Sequence, residues 1–327
     1  MNIGIDARGL LEKKAGIGKY IEQIIKKINE MDKDNNYILY STKEIVLDFK
    51  LKNNFQIKQK LGKLGSLWMF FCLPKHLKDD KIDVFWGTQA LLPRKNKYTK
   101  KIRYILTIHD LAIKRLKVVG SFKNTIIQKL FLKSSIKKAD RIITISKSTQ
   151  KDIISFYNID INKTSVIYPG TNIQENIEDI SPKTKEEIEE KMKIKNMPYI
   201  FFLSTIEPRK NIKTLIKSFE YIRKKNNINL KLILAGGLGW KYNDILEEVD
   251  KSSYKDDIIM PGYISEEEKK YLYENTKCFV YPSLYEGFGL PVLEAMANKS
   301  LVVTSNNSSL PEVGGDVAFY YNRSIRL

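Results

Sequence analysis

The chain has 327 residues and a mass of 38.0 kDa, a size that suits two globular domains better than one. Hydrophobic residues make up 43% of the sequence and aromatic residues 11%, and this apolar content excludes a disordered protein. The apolar run Leu67–Leu73 is far shorter than the ~20 residues of a membrane-spanning helix, and no signal-peptide pattern opens the sequence. We therefore expect a cytoplasmic globular protein.

The net charge of +18 is confined to the first half of the chain. Residues 1–170 hold 34 Lys and Arg against 15 Asp and Glu, whereas residues 171–327 hold 22 against 23. A genome biased towards lysine would affect both halves, so the asymmetry predicts an anionic partner for the first half. This partner could be a membrane surface, a phosphorylated substrate or nucleic acid. The ordinary alternative is a surface of lysines that contact only solvent.

Metal and disulfide chemistry are not indicated. Cys72 and Cys278 are far apart, with neither a CxxC spacing nor a histidine pair, so we expect them to fill core space. The only Asp-x-Asp sequence, Asp32–Asp34, lies in a polar stretch after a predicted helix, which is typical of a surface turn. The sequence therefore predicts no metal site and no cofactor.

Short runs of Ile, Val, Phe and Tyr alternate with amphipathic segments of 10 to 18 residues, which predicts β-α units around parallel sheets. We expect two doubly wound α/β domains, residues 1–170 and 198–327, joined by a linker with a surface helix at 171–197. Ligands of such sheets bind beyond the carboxyl ends of the strands. The predicted strands are Ile3–Asp6, Tyr37–Tyr40, Val84–Trp86, Tyr104–Ile108, Arg141–Ile145, Val166–Tyr168, Tyr199–Ser204, Lys231–Ala235, Ile258–Met260, Cys278–Tyr281 and Leu301–Thr304.

The first predicted strand leads into a loop with Gly16 and Gly18, followed by a predicted helix over Lys19–Glu30. Glycines before a helix let a phosphate approach the exposed backbone N–H groups. A dinucleotide-binding fingerprint would need a third glycine where Ile21 stands, so a nicotinamide-dependent dehydrogenase is disfavoured. The alternative is a pair of glycines that only form a turn.

Two cations follow the strand predicted at Tyr199–Ser204. Arg209 and Lys210 precede Asn211, a good N-cap for the next helix, so both cations would lie beside the positive end of the helix dipole. This arrangement predicts an anion pocket, which would suit a departing diphosphate. A basic surface pair at a helix start is the alternative.

The segment after the strand Cys278–Tyr281 contains two carboxylates and two glycines. Glu286 lies in the predicted loop, and Glu294 lies one turn into the following helix on the face that looks back at the loop. Carboxylates beside exposed N–H groups can bind neighbouring sugar hydroxyls, which need acceptors and donors together. The alternative, an acidic first helical turn, leaves the glycines unexplained.

The motifs GIGKY, TIHDL, EPRKN and EGFGLPVLEAMA, in this order and spacing, resemble the retaining nucleotide-sugar glycosyltransferases of glycosyltransferase family 4, which have the GT-B fold. The resemblance spans nearly the whole chain. It implies an acceptor-side amino domain and a carboxyl domain that binds the nucleotide-sugar donor, with a crevice between them.

The resemblance implies that Glu294 binds the ribose and that Arg209 and Lys210 grip the diphosphate. Glu286 would hold the donor sugar, together with the backbone of Gly287, Phe288, Gly289 and Leu290.

From the amino domain, the resemblance implies that Gly16 and Gly18 close over the diphosphate and that His109 faces the donor sugar near the reacting carbon. The ordinary alternative for His109 is a strand-end histidine whose ring is tied to Asp110 or to the backbone. His109, Arg209, Lys210 and Glu286 are the expected catalytic residues.

The resemblance also implies metal-independent transfer with retention at the anomeric carbon, by front-face attack assisted by the leaving phosphate. The EPRKN and EGFGLPVLEAMA variants look most like mannosyltransferases. GDP-mannose is therefore the first expected donor and a UDP-hexose the second, in assembly of cell-surface polysaccharide or glycolipid.

The charge of the first half leads to the hypothesis of a saccharide or lipid-linked acceptor and a peripheral position on an anionic membrane. Residues 121–138 could form a basic amphipathic helix on such a membrane, or an ordinary sheet-packing helix with a lysine face. Residues 67–73 could be a hydrophobic rim or core.

Three other functions stay open. A GT-B sugar-nucleotide epimerase would have only His109 and Asp110 as obvious acid/base groups. A nucleic-acid-binding protein is disfavoured, because the nine arginines are scattered and no recognisable module is present. Relatives continue with further helices past the segment Gly314–Tyr320, whereas this sequence stops at Leu327. The third alternative is therefore a truncated, inactive relative that only binds nucleotide.

Overall fold

The computed structural model describes residues 1–12, 16–61, 67–116, 131–171 and 180–322. The chain divides into two compact units: unit 1 comprises Met1–Lys114 and Phe122–Pro169, and unit 2 comprises Arg115–Ser121 and Gly170–Leu327. Each unit is built on one sheet, and the paired strands of both sheets run parallel. The predicted fold class, two Rossmann-like α/β units, is confirmed.

Unit 1 has a seven-stranded sheet in the order β3-β2-β1-β4-β5-β6-β7, which switches direction between β1 and β4. Ligands of doubly wound sheets bind at the carboxyl ends beside such a switch. The strands are β1 (Asn2–Asp6), β2 (Asn36–Tyr40), β3 (Phe55–Lys58), β4 (Val84–Gly87), β5 (Arg103–Ile108), β6 (Arg141–Thr144) and β7 (Thr164–Val166). The helices are α1 (Gly16–Met31), α2 (Trp68–Phe71), α3 (Leu73–Asp79), α4 (Ala112–Arg115) and α6 (Lys147–Tyr157), and the described part of α5 covers residues 131–138.

The core of unit 1 joins sheet residues to the apolar run at 67–73. Tyr40 and Phe85 on the strands and Trp68 on α2 are buried in one hydrophobic cluster. Phe71, on the same short helix, is 69% exposed. The apolar run is therefore mainly core, with one aromatic side chain at the surface.

Unit 2 has a six-stranded sheet in the order β10-β9-β8-β11-β12-β13. Its switch point lies between β8 and β11, which pair directly. The strands are β8 (Tyr199–Leu203), β9 (Lys231–Ala235), β10 (Ile258–Gly262), β11 (Cys278–Tyr281), β12 (Val302–Ser305) and β13 (Phe319–Tyr321). The helices are α7 (Pro182–Lys191), α8 (Ile212–Asn226), α9 (Asn243–Asp250), α10 (Glu266–Asn275), α11 (Leu290–Ala297) and α12 (Leu310–Gly314).

Three aromatic rings form the centre of the unit 2 core. Phe201 on β8 lies 5.1 Å from Tyr273 on α10 and 5.8 Å from Phe279 on β11, measured between ring centroids. Tyr273 and Phe279 are 5.2 Å apart, and all three pairs meet edge to face. This geometry suits the quadrupoles of aromatic rings and fixes α10 against the sheet.

Two strands were not predicted, and one is displaced. Both missed strands, β3 and β13, are short edge strands whose side chains are mostly exposed or half-exposed, so they lack the apolar run of a buried strand. The predicted strand Val166–Tyr168 is wrong in position. The strand Thr164–Val166 ends before Ile167 and Tyr168, whose side chains are about half exposed.

Helix α1 begins earlier than predicted. It starts at Gly16, so Gly16 and Gly18 lie in its first turn, whereas the sequence predicted a loop there and a helix from Lys19. Glycine weakens a helix interior, and this penalty explains the late predicted start. The first-turn position still leaves backbone N–H groups that have no partner within the helix.

Other predictions fall in part outside the described residues. Residues 121–130 of the predicted basic helix are not described, and residues 131–138 are helical. In the predicted linker, Ser181 caps α7 by accepting a hydrogen bond from the Thr184 N–H group. Asp32 accepts hydrogen bonds from the Asp34 and Asn35 N–H groups, as expected in a polar turn. Among the described helices, none is long and apolar enough to cross a membrane.

Truncation of the unit 2 core should be costly. Phe201→Ala removes a fully buried ring, and we expect the free energy of unfolding to fall by about 3–5 kcal/mol because a cavity remains. Tyr221→Ala, at a side chain that is 55% exposed, should change it by less than about 0.5 kcal/mol. Urea denaturation followed by circular dichroism measures both changes. Equal losses would contradict the assigned core.

Candidate functional site

Two loops meet at the carboxyl ends of β8 and β11. The strands pair in register, with Cys278 opposite Ile200 and Phe279 opposite Phe201. Beyond the strands, the Leu284 N–H group donates a hydrogen bond to the Arg209 carbonyl oxygen at 2.9 Å. The EPRKN and EGFG segments, about 75 residues apart in sequence, are thus joined through the backbone at the switch point of unit 2.

The carboxylate of Glu286 is the centre of this site, and only 7% of the residue is exposed. Oε1 accepts hydrogen bonds from Lys210 Nζ at 2.6 Å, Ser283 Oγ at 2.5 Å and Tyr281 Oη at 3.2 Å. Oε2 lies 3.0 Å from Arg209 Nη1. A buried carboxylate is therefore held by two cations and two hydroxyl groups.

The charges of this cluster compensate one another. Burial alone would raise the pKa of Glu286, but Arg209 and Lys210 outweigh burial and lower this pKa to about 2. Burial alone would lower the pKa of Lys210, and Glu286 outweighs it, so that this pKa lies above its usual value. At neutral pH the two cations and the carboxylate are all ionised.

Arg209 is oriented by a second carboxylate. Glu207 accepts a hydrogen bond from Arg209 Nε at 2.9 Å, and the Tyr285 carbonyl oxygen accepts one from Nη1 at 3.0 Å. Asn211 ends the turn in the left-handed conformation, with φ of 59°. Asn211 is the N-cap residue of α8, as predicted, and its side-chain oxygen accepts a hydrogen bond from the Thr214 hydroxyl rather than from a backbone N–H group.

The glycine-rich loop leads from Glu286 into α11. Gly289 adopts φ of 113°, and a Cβ atom there would lie 2.9 Å from a Leu310 methyl group, so both backbone conformation and space favour glycine. The hydroxyl of Ser309 bonds to the carbonyl oxygens of Glu286 and Phe288 and fixes the loop. The predicted donor-binding backbone of Gly287, Phe288, Gly289 and Leu290 lies along this loop and at the start of α11.

Glu294 lies within α11 and makes different contacts. Its Oε2 accepts a hydrogen bond from Tyr273 Oη at 3.2 Å, and its Oε1 is 3.5 Å from Lys269 Nζ. The side chain is 22% exposed, so the carboxylate keeps access to solvent. Glu294 is thus oriented by α10, in contacts separate from those of Glu286.

His109 follows β5 in unit 1 and is partly buried. Its Nε2 lies 2.7 Å from the Thr88 carbonyl oxygen, so Nε2 carries the proton and Nδ1 is left as the acceptor nitrogen. Burial lowers the pKa of His109, which makes the ring neutral at pH 7. Tyr20 of α1 contacts the ring edge to face at 5.2 Å. The ring is tied to the backbone, as the ordinary alternative expected, and its other nitrogen is an acceptor.

Gly16 and Gly18 lie on the same helix as Tyr20, four and two residues before it. The first turn of α1 is therefore near His109 at the carboxyl ends of the unit 1 sheet. The space around the Gly16 α-carbon is open among the described residues. Gly16, Gly18 and His109 lie in unit 1, whereas Arg209, Lys210, Glu286 and Glu294 lie in unit 2.

Sequence reasoning missed several polar residues. Asp6 at the end of β1 binds Arg8 through two hydrogen bonds of 2.8 Å, and both side chains are nearly buried. In unit 2, the roles of Tyr281, Ser283 and Glu207 were not predicted, although Glu207 lies within the EPRKN motif and Tyr281 and Ser283 lie just before the EGFGLPVLEAMA motif. Their position beside charged residues at strand ends was the available signal. Among the described residues, no group of three or more His, Cys, Asp or Glu could hold a metal ion.

Family comparisons match both halves of the chain. Residues 46–175 match the model of Glycosyltransferase Family 4, and residues 184–318 match that of Glycosyl transferases group 1. Together the two matches cover most of the sequence.

Curated relatives are similar over part of their length. The chain is 31% identical to O-antigen chain mannosyltransferase B of Escherichia coli over 73% of this chain and 61% of the relative. It is 30% identical to O-antigen chain mannosyltransferase RfbU of Salmonella typhimurium over 66% of this chain and 56% of the relative. The chain thus spans about three fifths of the length of these relatives.

Solved structures share the fold. WaaG, a glycosyltransferase involved in lipopolysaccharide biosynthesis, superposes with a TM-score of 0.74 and 12% identity over 99% of this chain and 86% of that chain. Anabaena HepE in complex with UDP-glucose gives a TM-score of 0.70 and 15% identity over 98% of this chain and 85% of that chain. The chain thus combines a Glycosyltransferase Family 4 domain with a Glycosyl transferases group 1 domain, in the two parallel-sheet units of a GT-B fold.

Proposed function

We propose that this protein is a retaining, metal-independent glycosyltransferase that moves mannose from GDP-mannose to a saccharide or lipid-linked acceptor in cell-surface polysaccharide or glycolipid synthesis. The observation that carries this proposal is the buried cluster of Glu286, Arg209 and Lys210 at the joined carboxyl ends of β8 and β11. In this cluster, the two cations can bind a diphosphate and the carboxylate can accept a hydrogen bond from a sugar hydroxyl.

The cluster suits the departure of a nucleotide diphosphate. Negative charge grows on the leaving phosphate as the bond to the sugar breaks, and cations that are already oriented stabilise that charge without reorganising. Glu286 and Glu207 hold the Arg209 guanidinium, and Glu286 holds the Lys210 amine. The Oε2 atom of Glu286, which has one hydrogen-bond donor among the described residues, can also accept a hydrogen bond from a sugar hydroxyl.

The same contacts argue against Glu286 as the nucleophile. Its low pKa and its four hydrogen-bond donors reduce the basicity of the carboxylate and therefore its reactivity towards carbon. Front-face attack by the acceptor, with the leaving phosphate taking the acceptor proton, needs no protein nucleophile. From unit 1, Gly16 and Gly18 stay predicted contacts of the diphosphate, and His109 of the donor sugar.

The names of relatives support the donor and the acceptor. Two of them are O-antigen chain mannosyltransferases, which favours GDP-mannose. The UDP-glucose bound to Anabaena HepE keeps a UDP-hexose as the alternative. Two further relatives, at 27% identity, are named for a diphospho-undecaprenol substrate and for a glucosyldiacylglycerol product, which favours a lipid-linked acceptor.

The first test is calorimetric titration with GDP, UDP, GDP-mannose and UDP-glucose, in EDTA and then in magnesium. We expect GDP and GDP-mannose to bind equally well in EDTA and in magnesium. Tighter binding of UDP and UDP-glucose would mean that the donor is a UDP-sugar rather than GDP-mannose. The absence of binding by all four nucleotides would contradict the donor site.

Loss of the Glu294 carboxylate should weaken nucleotide binding. Glu294→Ala removes two possible hydrogen bonds to ribose hydroxyls, and bonds to a charged group are worth about 1.5–3 kcal/mol each, so we expect the Kd for GDP to rise at least tenfold. Glu274→Ala, on an exposed carboxylate of α10, is the matched control and should leave the Kd unchanged. Equal Kd values in both variants would show that Glu294 does not bind the ribose.

Replacement of Lys210 should slow transfer more than it weakens binding. Lys210→Met keeps the volume of the buried side chain but removes its charge from the leaving group, so we expect kcat to fall by about 10²–10³-fold. The rate of GDP release from GDP-mannose measures this change, with Lys213→Met, at an exposed position on α8, as the control. A normal rate in Lys210→Met would contradict the role of this amine.

Glu286 should also give the protein an acid-sensitive stability. The folded-state pKa of about 2 lies below the unfolded value of 4.5, so ionisation stabilises the fold above about pH 5, and this contribution disappears as the pH falls towards 2. Glu286→Gln should cost about 3 kcal/mol at pH 7, and the difference from the wild type should narrow below pH 4.5. Urea denaturation at several pH values, with Glu274→Gln as control, tests this. A pH-independent difference would contradict the assigned ionisation.

A further inference from the structure

One edge of unit 1 is densely basic. Six of the ten residues at 94–103 are Lys or Arg, none is Asp or Glu, and all six cations are exposed. Within the described part of the chain, Lys95 is the one of these six with an ion pair, a 3.7 Å contact to Asp140. Segment 94–103, together with Lys137, Lys138 and Arg141, is called the basic edge below.

Contacts bring these cations together at the amino ends of the strands. Lys138 Nζ donates a hydrogen bond to the Pro93 carbonyl oxygen at 3.0 Å, beside Arg94. Arg103 and Arg141 are the first residues of the neighbouring strands β5 and β6. The basic edge therefore lies at the end of the sheet opposite to His109, which follows β5.

The cations of this edge repel one another. Burial, with help from the charges of Arg94 and Lys95, lowers the pKa of Lys138 to about 8. Such a concentration of like charge disfavours the folded chain unless an anionic partner or salt screens it. The basic edge is thus a surface suited to a partner with many negative charges.

The aromatic side chains near the edge favour lipid over nucleic acid. The ring of Tyr98 has the amines of Lys78 and Lys97 at 4.6 and 5.1 Å from its centroid, so these cations compete with a nucleobase for the ring faces. Phe70, whose ring is 5.8 Å from Lys138 Nζ, is followed by the exposed Phe71. Exposed aromatics beside lysines are typical of membrane-interface surfaces.

We propose that the basic edge docks the protein on a membrane surface rich in anionic lipid headgroups; this rests on the lipid-linked acceptor of the proposed function. Each cation near such a surface strengthens binding about fivefold, and salt weakens the attraction. Docking at the amino ends of the strands leaves their carboxyl ends, where ligands of such sheets bind, free of lipid.

The test is co-sedimentation with phosphatidylcholine vesicles containing about one third phosphatidylglycerol, at low salt. The variant Lys97→Gln, Lys100→Gln, Lys101→Gln removes three exposed cations from the basic edge. We expect its partition coefficient to fall about 100-fold. The matched control, Lys224→Gln, Lys225→Gln, Lys255→Gln, removes the same charge from exposed positions of unit 2 and should lose less than threefold.

Several results would overturn the proposal: no binding of the wild type, an equal loss in both triple variants, or tighter binding of random-sequence DNA than of vesicles. Thermal unfolding of each variant shows that the fold is kept. Titration of the same preparations with GDP measures nucleotide binding at the donor site of unit 2 independently of vesicle binding. Normal GDP binding with no vesicle binding would reject the docking surface alone, whereas vesicle binding without GDP binding would reject the donor site alone.

Discussion

The architecture of unit 2 depends on the neutralisation of one buried charge. The Glu286 carboxylate lies where solvent cannot stabilise it, and Arg209 and Lys210 replace that solvation. Each of the three groups would be costly to bury without the others. Because the cations follow β8 and the carboxylate follows β11, the fold must keep these two strands in register to keep the charges paired.

The surrounding residues hold these three charged groups in place. Ser283 and Tyr281 give hydrogen bonds to the carboxylate, and Glu207 gives Arg209 a second partner, so the geometry is determined from several directions. The aromatic core of Phe201, Tyr273 and Phe279 fixes the strands and α10 beneath the site. A site built in this way is already organised before a ligand arrives, which lowers the cost of binding and of charge development.

Much of the fold and of the site could be predicted from sequence, because buried parallel strands are apolar runs and functional loops follow them. The strand Lys231–Ala235, which lies where the sequence predicted it, illustrates this success. Edge strands such as Phe319–Tyr321 were missed because one side of an edge strand is open to solvent. The ion pair of Asp6 with Arg8 was missed because a pair two residues apart carries no periodic signal.

Strand length gives the proposed docking a geometric meaning. Strand β5 has six residues, and at ~3.3 Å per residue it separates the basic edge from His109 by about 20 Å. A protein that rests on a bilayer by one end of this strand holds the other end at that height above the headgroups. Such a molecule would act as a spacer that keeps the carboxyl ends of the unit 1 strands away from the lipid headgroups.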